Sequence, residues 1–122
     1  MIHITILSDI DCPINIINIS DGLEKNEILF PRIYLHSKSN SKSTIFIQNQ
    51  SINSNCAINS VTEIYLEENS EIEVIQISDI QNQEMIDSIY LYQNNNSKMS
   101  FLSTTFGGKL YRSNINIDIN GT

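Results

Sequence analysis

Apolar and polar residues alternate with a period of two over much of the chain. Ile2, Ile4 and Ile6 are separated by His3 and Thr5, and Ile115, Ile117 and Ile119 by Asn116 and Asp118. Alternation carried by β-branched residues predicts strands with one buried face. Twice the parity slips: Ile14 and Ile16 give way to Ile17 and Ile19, and Ile72 and Val74 to Ile75 and Ile77. A slip of one residue turns every later side chain to the opposite face, so each predicts a β-bulge or a corner. Helical signals are weak. Segments 20–30 and 82–88 each hold about a turn of helical pattern and read as loops.

The strands recur in one phrase: "IYLHSKSNSKSTIFI" from Ile33, "IYLEENSEIEVIQIS" from Ile64 and "IYLYQNNNSKMSFLS" from Ile89. Their turns Asn40-Ser41, Asn69-Ser70 and Asn96-Ser97 lie 29 and 27 residues apart. Asn and Ser favour turns because their side chains bond nearby backbone groups. A repeat of this length marks stacked units, each too short to bury its own apolar face. One phrase therefore predicts one β-coil, and about four coils stack at roughly 4.8 Å each. The expected fold is an all-β parallel β-helix, with a β-sandwich of seven or eight strands as the alternative. Tyr34, Tyr65 and Tyr90, second in each "IYL", are expected to stack as a ladder.

Length and charge narrow the function. The 122 residues suit one domain, 1–122, and with 4 Gly and 2 Pro the chain is neither collagenous nor a disordered linker. Part of the Ile and Asn excess matches A/T-rich codons. The net charge of −7, with 14 acidic against 7 basic residues, argues against nucleic acid, since Lys38, Lys42, Lys98 and Lys109 are scattered. No apolar run approaches the ~18 residues of a membrane span. The start "MIHITILSDID" lacks the basic region and long apolar core of a secretory signal, so a cytoplasmic protein is expected. Cys12 and Cys56 then stay reduced.

Four segments carry a resemblance: "CPINIINIS" (12–20), "FPRIYL" (30–35), "NSVTEIYLEENSEIEVIQI" (59–77) and "FGGKLYRSNINIDINGT" (106–122). In order and spacing they resemble the SufB/SufD family of iron–sulfur cluster assembly proteins. The Val61-Thr62-Glu63-Ile64 form and the layout from Gly107-Gly108 to Arg112 look more like SufD than SufB. The resemblance implies a right-handed parallel β-helix. It spans nearly all of this chain but only about the first half of the family's core. The family's N-terminal helical region, later coils and C-terminal helical domain have no counterpart here. The resemblance implies a SufB-like subunit and a SufC-type ATPase as partners. It carries no cluster-building residue onto this chain, because those lie mostly in the later half; the iron–sulfur cluster is the family's product.

Candidate chemistry is sparse. Glu63, Glu67, Glu68, Glu71 and Glu73 form an acidic run without the converging loop of a calcium or magnesium site, and read as a solvated face. His3, His36, Cys12 and Cys56 are soft ligands, with no two at ligand spacing. Gly107-Gly108-Lys109 lacks the other marks of a phosphate loop and reads as a corner needing positive φ. Ser103, Thr104 and Thr105 have no neighbouring histidine for a nucleophilic triad. Arg32 and Arg112 are expected to tie a corner to carbonyls or a carboxylate of the next coil. No catalytic, cofactor-binding or metal residue is assigned.

The expected function is a non-catalytic SufD-like scaffold. A carbohydrate-binding or polysaccharide-active solenoid, and a truncated product without independent function, are the alternatives. An open last coil predicts self-association through that end.

Overall fold

The computed structural model describes residues 1–20, 27–52, 56–80, 83–107 and 110–119. Among them are ten strands: β1 (Ile2–Ile6), β2 (Ile14–Ser20), β3 (Glu27–Leu29), β4 (Arg32–Ser37), β5 (Lys42–Ser51), β6 (Cys56–Leu66), β7 (Glu71–Asp79), β8 (Glu84–Gln93), β9 (Lys98–Phe106) and β10 (Leu110–Ile119). Sheet 1 runs β1-β4-β6-β8-β10 with β3 also on β6, and sheet 2 runs β2-β5-β7-β9. Every pairing is parallel, and each strand pairs with its equivalent one coil away. The chain is a β-solenoid of about four turns, as the repeat predicts, and the sandwich alternative fails on this pairing.

The predicted Asn-Ser turns set the register. Asn40, Asn69 and Asn96 have φ of 62°, 59° and 55°, the left-handed region that Asn tolerates better than other residues bearing a Cβ. In each turn the following serine donates twice to the carbonyl three residues back: Ser70 N to Glu67 O at 3.2 Å and Ser70 Oγ to the same oxygen at 2.6 Å. Ser41 and Ser97 repeat this on Lys38 O and Asn94 O. The turns also bond to one another, Asn40 N to Glu68 O and Asn69 N to Asn95 O. Each turn thus bonds to itself and to the turn of the neighbouring coil, so the phrase can be repeated coil after coil.

Between the sheets lies the core. Leu35, Ile64 and Leu91 stack in one buried column of sheet 1 and face Ile45 and Val74 of sheet 2. Each such side chain contributes about 1.5–3 kcal/mol by leaving water. The last coil continues this column with Ile117 beyond Leu91, and sets Ile115 beyond Ile89; the two remain 58% and 57% exposed on the outermost strand.

Three expectations change. Neither parity slip is a bulge: β2 and β7 pair without interruption from Ile14 to Ser20 and from Glu71 to Asp79. Ile17, Ile19, Ile75 and Ile77 instead stand on the outer face of sheet 2, where alternation places them. The tyrosines do not share a column. Tyr34 pairs with Glu63 and then Tyr90, while Tyr65 lies between His36 and Tyr92. The "IYL" triplet sits two residues nearer its turn in the middle coil, and the turn, not the triplet, fixes register. Finally, the segment 82–88 read as loop mostly opens β8, and 20–30 contains β3; residues 21–26 and 81–82 lie outside those described.

Candidate functional site

Two groupings gather chemistry-bearing side chains. The first is inside the solenoid. Alternation along β6, β7 and β8 turns Ser60, Gln76 and Asp87 inward, where each is at least nine-tenths buried. Ser60 Oγ donates to Asp87 Oδ1 at 2.6 Å, and Gln76 Nε2 donates to Asp87 Oδ2 at 3.0 Å. Both carboxylate oxygens are thereby engaged, which offsets much of the cost of taking them from water. A second lane runs along the stack: Asn18 Nδ2 donates to Asn49 Oδ1 at 2.9 Å, and Asn49 Nδ2 to Ser78 Oγ at 3.0 Å.

This polar band divides the apolar interior into the large cluster around Leu35 and a small one of Ile58, Ile80 and Met85. Gln76 Oε1, buried beside Asp87, has no hydrogen-bond partner. A recess of about 350 Å³ opens next to Asn18 and Asn49, with Ile58 and Ile80 among its walls. Of the polar lanes, Asn18 and Asn49 reach the walls of the recess, whereas Ser60, Gln76 and Asp87 do not line it. Sequence reading missed the band, although the signal was present as polar residues at core parity.

The second grouping is on the outer face of sheet 1. His3 packs edge-on to Tyr34 with ring centroids 4.7 Å apart, and His36 edge-on to Tyr65 at 5.1 Å. His36 Nε2 lies 2.7 Å from Glu67 Oε2, which Lys38 Nζ also approaches at 3.4 Å. Asn94 Nδ2 donates to Tyr65 OH at 3.1 Å. Glu67, at the start of its turn, thus joins two coils.

The remaining candidates disperse. Glu71 and Glu73 project from sheet 2, while Glu63 stands on sheet 1, so the acidic run forms no single cluster. Cys12 is exposed ahead of β2, and the side chain of Cys56 lies outside those described. Among the described residues no three His, Cys, Asp or Glu side chains are grouped to hold a metal ion. Ser103, Thr104 and Thr105 occupy β9. Gly107 has the expected positive φ, 74°, while Gly108 and Lys109 lie outside the described residues.

Arg32 does what its motif predicts: Nη1 donates to Asn59 O of the next coil at 2.7 Å and to Pro31 O at 3.0 Å. Its guanidinium also lies 5.6 Å from the centre of the Phe30 ring. Arg112 stands exposed on β10.

No helix among the described residues is long and apolar enough to cross a membrane. Neither a curated protein nor a solved structure matches the chain. The SUF system FeS cluster assembly, SufBD core domain, matches residues 18–122. Parallel coils, stacked Asn-Ser turns and that match lead to one conclusion: this chain belongs to the SufBD core family of iron–sulfur cluster assembly proteins.

Proposed function

We propose that the chain serves as a SufD-like, non-catalytic scaffold in iron–sulfur cluster assembly, acting in the cytoplasm with a SufB-like subunit and a SufC-type ATPase. The observation that carries this reading is the family match over residues 18–122 on an all-parallel solenoid. The SufD-like side rests on Val61-Thr62-Glu63-Ile64 and on the spacing from Gly107-Gly108 to Arg112. Stacked backbone ladders make a stiff frame, suited to holding partners at fixed separation rather than to turnover. The iron–sulfur cluster is cargo of the assembly. The test is co-expression of the tagged native gene product with the SufB-like and SufC-type proteins of its own cell, read by native mass spectrometry. A complex containing all three is expected; a product that binds neither partner overturns the proposal.

One observation favours a second reading. The outer face of sheet 1 gathers Tyr34, Tyr65, Tyr90 and Tyr92 with His3 and His36, and an aromatic strip of this kind suits stacking against sugar rings. A glycan array decides it. Saturable binding lost in Tyr65→Ala supports a carbohydrate-binding solenoid, and a blank array removes it.

A further inference from the structure

The isoleucines that break the sequence alternation converge on one surface. On the outer face of sheet 2, Phe46, Ile75 and Leu102 form a column along the stack. Ile17 and Ile77 lie in the next column with Gln48 and Thr104, and Ile19 and Phe106 in the one after with Gln50 and Asp79. Leu102 is 60% exposed, and Ile17, Ile19, Ile77 and Phe106 are exposed with it. Exposed apolar side chains gathered on one sheet face mark an interface. Parallel sheets are normally covered on both faces.

We propose that this face binds a second copy of the same chain, the two sheets packing face to face about a two-fold axis parallel to the strands, between β5 and β7. That rotation preserves position along a strand and exchanges β5 with β7 and β2 with β9. Phe46 then meets Ile75 of the second copy, and Ile19 meets Phe106, since each pair shares a register level. Lys42 meets Glu71 of the second copy. Within one chain Lys42 Nζ already lies 3.9 Å from Glu71 Oε2, so the dimer sets four charges in an alternating square. Glu73 meets Thr44 and Asp79 meets Gln50; no acid faces an acid.

The other two-fold, along the stack, sets Glu71 against Asp79 and is disfavoured by like charge. Four strands at about 4.8 Å and nine residues at about 3.3 Å give a footprint of roughly 600 Å² per copy, about 1,200 Å² in total. That is the low end for a specific interface, and it fits a dimer of about micromolar affinity.

Sedimentation equilibrium of the chain up to about 200 µM is the test, with circular dichroism to confirm folding. Ile75→Lys lies near the axis on the outer face, and is expected to raise the dimer Kd at least about tenfold with the fold intact. Lys42→Glu weakens the dimer, as does Glu71→Lys, and the double swap restores it. Ile117→Lys, on β10 of sheet 1 and away from this face, leaves the dimer unchanged. A monomer throughout the range overturns the proposal, as an amphipathic helix or other partner then covers the face. So does a dimer that Ile75→Lys changes less than about twofold, or a swap that fails to restore association.

Discussion

The two outer faces of the solenoid arise from the same alternation and are built to different ends. On sheet 1 the outward side chains engage one another: His36 bonds Glu67, Asn94 bonds Tyr65, and Arg32 bonds the backbone of the neighbouring coil. On sheet 2 the outward side chains divide: Lys42, Glu71 and Glu73 lie toward the Asn-Ser turns, and farther along the strands Ile77 and Leu102 project into solvent. The first face spends its side chains on holding coils together, and the second presents them outward. Substitutions on sheet 1 should therefore lower the stability of the single chain. Those on sheet 2 should leave that stability alone and change what the chain associates with.

Chemical denaturation grades this difference. Leu35→Ala removes a fully buried side chain beneath sheet 1 and is expected to cost about 2–5 kcal/mol, setting the scale for loss of the shared core. Arg32→Ala comes next. It removes two hydrogen bonds from a cation to carbonyls, and urea unfolding should register a loss of roughly 1.5–3 kcal/mol. Asn69→Ala places a Cβ without a compensating amide at a φ of 59° and should cost about 1–2 kcal/mol, while Asn69→Gly stays near wild type. That pair separates backbone strain from lost side-chain contacts. Smallest is Ile77→Thr on sheet 2, expected to shift monomer stability by less than about 0.5 kcal/mol. A shift above about 1.5 kcal/mol there would erase the distinction between the faces.

The elements that repeat were legible in the chain, and those that depend on neighbouring coils were not. The Asn-Ser turns were readable because their hydrogen bonds close within four residues, so local sequence suffices. Arg32 was readable from its Pro-Arg context. The parity slips were misread because alternation reports which side chains are apolar, not which face is inside. Ile75 and Ile77 are apolar and outward, whereas Gln76 between them is polar and buried. Only the register that brings Gln76 opposite Asp87 makes that polar position stable inside. The tyrosine ladder failed for a related reason: "IYL" is a sequence match, but columns follow the turns.

The two kinds of corner have a consequence for how such a chain can change. From the second coil onward the Asn-Ser corners occupy 38–41, 67–70 and 94–97, always the same length, and bond directly to each other. The opposite connections, 21–26, 52–55, 80–83 and 107–109, differ in the number of residues between the strands they join. One edge of the solenoid is thus a spine and the other a margin. A change in length along the margin leaves the spine's bonds in place, while a whole coil, spine turn included, can be copied in as a unit that lengthens the body by about 4.8 Å. A lineage carrying this architecture can revise its margin residue by residue, but its height only a full layer at a time.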